Sequence, residues 1–331
     1  MRKKWIRGGI FLCLVLLLLS NLNRILCVKS PHGVDQTRYL YVQPKNKIDV
    51  LFLGSSHVHC NVNTQLLWDE YGMAAYLMTG AEQPLWNSYY NLKEALKTQK
   101  PRLVVLDMFC PSRFYDDFQP GWADENLDGM RISLNKLEAV YTSVQEEQSH
   151  FFLGFTKYHS RYDQLTAEDF QNFVWNRKTQ ERWKGYTPLN RHAELTEPDM
   201  SHVTTSQEMT EKSKEYFEKI VELTKKEGIT LALISGPYLL EERDQEVYNS
   251  IGQLAEKNGL LFWNTNTPAH YREMGLDFST DYADHAHLNE AGGAKYTAYL
   301  GKWLSQNYSF PDRRGQKGYE SWENQLMKSG E

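Results

Sequence analysis

The chain has 331 residues, enough for one large or two ordinary domains with a sizeable buried core. Its 41% hydrophobic and 24% charged residues are typical of a soluble globular protein. A net charge of −5 and an isoelectric point near 6.1 argue against nucleic-acid binding, which a basic surface would favour.

The amino-terminal end differs from the rest of the chain. An apolar run at residues 8–19 follows four basic residues, Arg2, Lys3, Lys4 and Arg7. Asn21, Asn23 and Arg24 then stand where the small residues of a cleavage site would be expected. We therefore predict an uncleaved signal anchor at 1–29, with its N-terminus in the cytoplasm and the following domain outside the membrane. A cleaved signal peptide is the alternative.

Composition and periodicity divide the remaining chain into four parts. Residues 30–45 are polar and turn-rich, which predicts a stalk. Residues 46–110 and 206–310 alternate short apolar stretches with amphipathic ones, which predicts one α/β domain. Residues 111–205 break this alternation and predict a helical cap insertion, and the polar residues 311–331 predict a flexible tail.

The α/β part predicts five strands, at 48–53, 74–79, 102–107, 229–235 and 260–263. Helices are predicted between them, at about 63–71, 85–98, 209–227, 242–258 and 290–305. Strand–helix–strand spacing favours a parallel sheet covered on both faces, a three-layer fold. Ligands bind at the carboxyl ends of such strands, where Ser56, Gly80 and Asp107 fall.

The predicted insertion is rich in aromatic residues, Trp175 among them. A helix is predicted from Thr166, whose pairing with Asp169 resembles a capping box, and Phe170, Phe173 and Val174 continue it with helical spacing. The segment Tyr158-His159-Ser160-Arg161 suggests substrate contacts from His159 and Arg161. A solvated helix end is the alternative for this segment.

Two remote segments carry the parts of a nucleophilic site. The tetrapeptide Gly54-Ser55-Ser56-His57 follows a predicted buried strand, so a serine there projects into a crevice at the sheet end. Asp284 and His287 lie three residues apart near the carboxyl end. A serine needs a base to accept its proton and an anion to orient that base. These residues therefore predict a Ser-His-Asp acyl-transfer site with Ser56 as nucleophile.

In these residues the chain resembles the SGNH/GDSL hydrolase family. Gly54-Ser55-Ser56 is similar to its first block, and Asp284-His285-Ala286-His287 is similar to its last, an Asp-x-x-His. The resemblance implies a flavodoxin-like sheet, with Asp284 as the orienting acid and His287 as the base. It also implies that the backbone of Ser56 and Gly80 binds the oxyanion.

The third block of that family normally ends in an asparagine, which this chain lacks after its third predicted strand. Gln83 is a substitute donor by position, and His57 is expected to line the pocket. The Gly-Ser-Ser variant, the anchor and the large insertion look closer to envelope members that work beside membrane-bound O-acyltransferases. The resemblance implies acylated envelope polysaccharide or an acyl donor as partner, with no cofactor.

Two other functions remain open from the sequence. His57, His59, His285 and His287 could form a zinc site with a carboxylate, although their spacing matches no familiar zinc signature and we expect His59 and His285 to be partly exposed. A non-catalytic module that binds a glycan or a membrane acyltransferase would also fit the missing asparagine. Cys60 and Cys110 each follow a predicted strand and are either buried free thiols or a disulfide.

Overall fold

The computed structural model describes residues 2–27, 32–118, 120–171 and 183–323. Its centre is a sheet of five parallel strands, β1 to β5: Val50–Gly54, Ala75–Thr79, Leu103–Asp107, Thr230–Ser235 and Leu261–Asn264. The strand order is β2-β1-β3-β4-β5, which is the flavodoxin-like order. The predicted α/β fold with a parallel sheet is therefore confirmed.

Fifteen α-helices lie within the described residues. They are α1 to α15: Arg2–Leu26, Val34–Leu40, Ser56–Asn61, Thr64–Tyr71, Leu85–Ala95, Phe109–Arg113, Ala123–Leu127, Leu134–Ser143, Gly154–Tyr158, Ala167–Gln171, Glu211–Glu227, Glu242–Asn258, Pro268–Met274, Glu290–Asn307 and Glu320–Glu323. Short 3-10 helices occur at Pro120–Trp122, Gln148–Phe151 and His159–Asp163.

The strands form because each is a short apolar run. β1, β2 and β3 are buried along their whole length, whereas the edge strand β5 is partly exposed. Successive residues of β1 alternate between two cores, with Leu51 and Leu53 in one and Val50 and Phe52 in the other. The first core is completed by side chains of α5, α11 and α12, and the second by side chains of α3, α4, α13 and α14. The sheet is thus the middle layer of three.

The strand order places one crevice at the centre of the sheet. The chain moves from β1 outward to β2 and then returns to β3 on the other side of β1. Connections leave in opposite directions at this point, and in such sheets a ligand crevice is expected beyond the carboxyl ends of the strands, here those of β1 and β3. Gly54 ends β1 and Asp107 ends β3, which puts the predicted nucleophile turn at the mouth of the crevice.

Helix α1 differs from the helices of this domain in its length and in its exposed apolar side chains. Residues Lys3–Leu26 form a helix long and apolar enough to cross a membrane, and most of its side chains are exposed. Both membrane anchors and signal sequences have such a helix near the amino terminus. The end of α1 contacts α9, α10 and the 3-10 helix His159–Asp163.

The segment predicted as a stalk packs onto the sheet where it is described. Helix α2 lies against β2, and the Gln36 side-chain oxygen accepts a hydrogen bond from the Thr79 backbone N–H at 2.8 Å. The polar residues that suggested a solvated stalk, such as Asp35 and Gln36, are buried. Their polarity serves internal hydrogen bonds, which composition alone does not distinguish from exposure.

The predicted insertion contains short helices that contact several parts of the molecule. Helix α8 packs on α5, whereas α9 and α10 contact α1. Residues after the gap at 172–182 run beside the Asp284 loop, where Ala193 forms a bridge to Tyr282. The Thr166 backbone N–H donates to Asp169, as the capping pattern predicted. Phe173, Val174 and Trp175 lie outside the described residues.

Residues 311–323, predicted to belong to a flexible tail, are packed onto the domain. Arg313 pairs with Asp49 through two hydrogen bonds of 2.7 and 2.9 Å. Trp322 is fully buried, and its indole N–H donates to the Ala75 carbonyl at 3.0 Å. The polar composition of this segment hides its two buried aromatic residues, Tyr319 and Trp322.

We expect Trp322→Ala to lower the free energy of unfolding by about 3–5 kcal/mol, the usual cost of removing a large buried side chain. Removal of the indole also leaves the Ala75 carbonyl without this hydrogen-bond donor. Urea denaturation of the full chain in detergent measures the change. Trp122→Ala is the matched control because Trp122 is 43% exposed, so it should cost less than about 1 kcal/mol. Equal effects of the two substitutions would show that the segment does not contribute to the fold.

Candidate active site

The predicted nucleophile lies on a sharp turn between β1 and α3. Ser55 is the N-cap of α3, and its hydroxyl oxygen accepts the His57 backbone N–H at 3.2 Å. The same hydroxyl donates to the buried Asp107 carboxylate at 3.3 Å. Ser56 is therefore the first residue of the helix, held between a fixed strand end and a capped helix start.

Gly54 allows this turn to approach β3 closely. Its φ of +153° lies outside the range that other residues usually adopt. A side-chain carbon there would lie 2.5 Å from Cβ of Asp107 and 2.9 Å from Cγ2 of Val58. Only glycine fits without moving the nucleophile turn.

Gly54→Ala is expected to destabilise the protein by about 2–4 kcal/mol, since overpacking adds to backbone strain. Thermal and urea unfolding measure this loss. Gly252→Ala provides the control because Gly252 lies inside α12 with nothing within 4 Å of the added carbon. That substitution should stabilise the helix by about 1 kcal/mol. An unchanged stability of Gly54→Ala would contradict the packing described here.

The structure brings Ser56, His287 and Asp284 into one hydrogen-bonded row. Ser56 Oγ lies 2.7 Å from Nε2 of His287. Nδ1 of the same ring lies 2.8 Å from Oδ1 of Asp284. Residues 231 positions apart in the chain thus meet beyond the end of β1. Both distances lie within hydrogen-bonding range for a nucleophile, a base and an orienting acid.

Several donors keep the Asp284 carboxylate in its charged form. Oδ1 accepts the backbone N–H groups of Ala286 and His287 at 2.9 and 3.0 Å, and Oδ2 accepts from Arg191 at 2.7 Å. Burial opposes ionisation, but the hydrogen bond from His287 and these other donors hold the pKa of Asp284 well below its usual range. A charged carboxylate can stabilise an imidazolium on His287.

Arg191 was not predicted from the sequence. It lies in the segment after residues 172–182, and its guanidinium reaches Asp284 across a separation of 93 residues. The Ala193–Tyr282 bridge holds this segment beside the Asp284 loop. An arginine in an irregular stretch has no local signal, so only the tertiary contact identifies it.

Two of the predicted oxyanion donors, Gly80 and Gln83, have other partners in this structure. The Gly80 backbone N–H donates to the Gly54 carbonyl at 3.3 Å, as a continuation of the β1–β2 ladder. The Gln83 amide donates to Ser88 Oγ at 3.0 Å and accepts from Asn91 at 2.8 Å. Gln83 therefore fixes the loop between β2 and α5, and Gly80 would have to exchange a long hydrogen bond for the oxyanion.

His57, predicted to line the pocket, lies beside His287. Its ring stacks on Phe109 with centroids 3.4 Å apart and lies 5.5 Å from the His287 ring. Burial lowers the pKa of His57, so the ring is neutral. Among the described residues neither ring nitrogen has a hydrogen-bond partner.

His59 is buried rather than partly exposed, which corrects the expectation from its position in the sequence. It stacks on His32 and lies 3.1 Å from Thr79 Oγ1. His285 is exposed, as expected. Within the described parts of the chain, no three histidine, cysteine, aspartate or glutamate side chains converge into a metal-binding group. The zinc alternative therefore lacks a ligand set there.

His159 and Arg161, which were predicted to contact substrate, lie at an exposed position and at the end of α1, respectively. Arg161 donates to the carbonyls of Leu26 and Cys27 at 2.6 and 2.9 Å, so it satisfies the end of α1. His159 is exposed and pairs with the Thr156 carbonyl at 2.8 Å. Arg161 thus joins the insertion to α1, and these contacts do not belong to the Ser56 row.

Cys60 and Cys110 are both buried free thiols, which is one of the two alternatives left open by the sequence. Burial raises the pKa of Cys60 to about 12 and raises that of Cys110 as well. Neutral buried thiols pack as small apolar side chains.

Asp107 ends β3, near where the third family block would place its asparagine. Burial raises the pKa of Asp107 to about 7, despite hydrogen bonds from Ser55 and nearby backbone N–H groups. The protonated form is therefore favoured by folding. The neutral Asp107 carboxyl contributes its full stabilisation below the pKa that Asp107 has in the unfolded chain, near 4. This stabilisation is lost as pH rises through the folded-state pKa of about 7.

Asp107→Asn should remove this loss, since an amide keeps the neutral shape without titrating. Between pH 4 and 8 the parent should lose on the order of 3 kcal/mol of unfolding free energy that the variant retains. Urea denaturation across this range measures the difference. Asp116→Asn, at an exposed position, should leave the parent profile unchanged. Parallel profiles for the parent and Asp107→Asn would contradict a buried neutral carboxyl.

Comparisons with known proteins find little. No family model matches the chain, and no curated protein matches it. Solved structures that match include a protein from Bacteroides fragilis NCTC 9343 provisionally described as an acylhydrolase. The identity is 14%, the TM-score is 0.38, and the match covers 82% of this chain and 94% of that one. At this distance the likeness carries no argument about activity.

Proposed function

We propose that this protein is a serine esterase or O-acyltransferase that forms an acyl-Ser56 intermediate. The observation that carries the proposal is the hydrogen-bonded row from Ser56 through His287 to Asp284 at the end of β1. A serine that only begins a helix would not need a histidine aligned on its hydroxyl, nor a carboxylate fixed behind that histidine. The SGNH-like order of the motifs supports the same roles.

The reaction follows from this geometry. Nε2 of His287 takes the Ser56 proton while Oγ attacks an ester carbonyl, and Asp284 stabilises the imidazolium. When the tetrahedral intermediate collapses, His287 passes the proton to the leaving alcohol and the acyl group stays on Ser56. Water or a sugar hydroxyl then attacks this ester, again losing its proton to His287. The bond between Ser56 Oγ and the acyl carbon breaks as His287 returns the proton to Oγ. Esterase and transferase differ only in this acceptor.

Oxyanion stabilisation is the incomplete part of the site. The Ser56 backbone N–H is the first donor, and Gly80 becomes the second if its N–H leaves the Gly54 carbonyl. One such donor is typically worth about 10²–10³ in rate. A slow enzyme, or one completed by its substrate or by a partner protein, is therefore expected.

The substrate proposal rests on placement and on the family resemblance. Helix α1 is long and apolar enough to span a bilayer, and the basic residues before it favour a cytoplasmic amino terminus. The catalytic domain would then lie outside the cell membrane. Acyl esters of envelope glycans, most simply acetyl esters, are the substrates of the envelope members it resembles. A membrane-bound O-acyltransferase is the proposed acyl-transfer partner.

The test uses the full chain in detergent with p-nitrophenyl acetate. Release of nitrophenol should accompany an acetyl mass on the peptide containing Ser56, and added glycan should speed its loss if transfer is the reaction. Ser201→Ala, at an exposed position, should behave like the parent. No turnover and no acetylated Ser56 in a folded sample would reject the proposal.

A second candidate is a non-catalytic glycan-binding or acyltransferase-partner module. The involvement of the Gly80 N–H in the sheet ladder and of the Gln83 amide in its loop favours it. Isothermal titration with acylated glycan distinguishes the two functions. Binding that survives Ser56→Ala, in a parent without esterase activity, would favour the binding module.

A further inference from the structure

Helix α8 carries an apolar stripe that faces solvent. Ile132 precedes the helix, and Leu134, Leu137 and Tyr141 continue it at helical spacing, with exposures of 74, 78, 40 and 59%. The opposite face of α8 packs against α5. Four large apolar side chains along one helix face are more than the scattered exposure of a soluble surface requires.

The beginning of this stripe lies near the end of α1. Asp128, four residues before Ile132, accepts a hydrogen bond from the Tyr158 hydroxyl at 2.7 Å. Tyr158 packs with Leu26 and Cys27, the last residues of the α1 segment. Two successive side-chain contacts thus link Asp128, just before the stripe, to the end of α1.

Other exposed apolar side chains surround the same end of α1. Leu153, Tyr162 and Phe170 are 49, 74 and 53% exposed. They lie beside or within α9, the 3-10 helix His159–Asp163 and α10, all of which contact α1. Aromatic side chains with a polar end are enriched where membrane and water meet.

We propose that the stripe of Ile132, Leu134, Leu137 and Tyr141 rests in the headgroup region of the lipid bilayer that α1 crosses. The inference depends on the membrane placement proposed above, but not on the catalytic activity. Arg131, which is exposed next to the stripe, suits the anionic headgroups of such a surface. Glu138, the acidic residue on this face, is neutralised by Lys93 at 2.7 Å.

Two contacts with the membrane would fix the domain more firmly than α1 alone. The spanning helix sets the position of the insertion, and the stripe would prevent the domain from swinging about the end of α1. Because α8 packs on α5 of the central domain, the height of the crevice above the bilayer would be fixed as well. Substrates would then be reached within a narrow layer next to the membrane.

The experiment places a nitrobenzoxadiazole fluorophore on the one exposed cysteine of each full-length variant, whose other thiols, Cys27, Cys60 and Cys110, are buried. The protein is reconstituted in phosphatidylcholine–phosphatidylglycerol vesicles with nitroxide-labelled lipids. Labelled Cys13, exposed on α1, reports whether α1 enters the bilayer. Leu134→Cys and Leu137→Cys, each combined with Cys13→Ala, report on the stripe. Leu261→Cys in the same background is the matched control because Leu261 is 50% exposed on the edge strand β5.

Quenching and a blue shift at the Leu134 and Leu137 positions, but not at the Leu261 position, are expected. Probes on the stripe that stay unquenched while Cys13 is quenched would overturn the inference, leave the anchor in place and assign the stripe to a protein partner. Equal quenching at the Leu261 position would also overturn it, because contact would then be unspecific. An unquenched Cys13 would reject the membrane placement itself.

Discussion

Ser56→Ala is expected to reduce acyl transfer by about 10⁶-fold in kcat, the loss typical of removing a triad nucleophile. Without Oγ no acyl-enzyme forms, and only binding and backbone donors remain to assist water. Hydrolysis of p-nitrophenyl acetate by the full chain measures the loss. The substitution should leave unfolding nearly unchanged, since Ser55 and not Ser56 is the N-cap of α3.

Ser201→Ala controls for preparation and handling because Ser201 is exposed. If Ser56→Ala retained the parent rate, the observed hydrolysis would come from another group, and the row of three residues would be structural. A loss of rate with an equal loss of folded protein would likewise fail to support a catalytic serine. The unfolding of each variant should therefore be measured together with its rate.

Asp284→Asn should lower kcat by about 10⁴-fold, because an amide can neither hold the required His287 tautomer nor stabilise an imidazolium. The carboxylate accepts three hydrogen bonds from outside the imidazole ring, including the one from Arg191. Since the pKa of Asp284 lies well below its usual range, the parent should show no activity loss from this group as pH falls toward 4. A pH–rate profile of parent and variant measures both effects.

Arg191→Ala is the comparison for that experiment. Arg191 is 64% exposed in its side chain, and the backbone N–H groups of Ala286 and His287 would still hold Asp284. We therefore expect a much smaller change in kcat than for Asp284→Asn. An Asp284→Asn variant as active as Arg191→Ala would mean that the carboxylate does not orient the base.

The sheet was predictable because its strands are short apolar runs, of which β1, β2 and β3 are buried on both faces. All five predicted strands fall within two residues of those observed, and α12 matches its predicted bounds. Helix α3 was missed because six residues are too few to show a period. Helix α2 and the segment around Trp322 were missed because their polar residues make internal contacts that composition does not reveal.

For the candidate site, the sequence predicted the three residues that meet and misplaced some of their neighbours. Ser56, Asp284 and His287 lie in motifs whose spacing is local, so a turn or a tight loop presents them. Arg191 and Arg161 depend on irregular segments whose positions only tertiary packing determines. The catalytic roles of Ser56, Asp284 and His287 and the substrate-binding role of Arg161 stay predictions until activity is measured.

The most direct test of the account is the site of reaction with a fluorophosphonate probe in the folded full chain, read by peptide mass spectrometry. One adduct is expected, on Ser56, that forms slowly in Asp284→Asn and disappears in Ser56→Ala. An unlabelled folded protein, or an adduct that persists in Ser56→Ala, would contradict an activated serine at the end of β1.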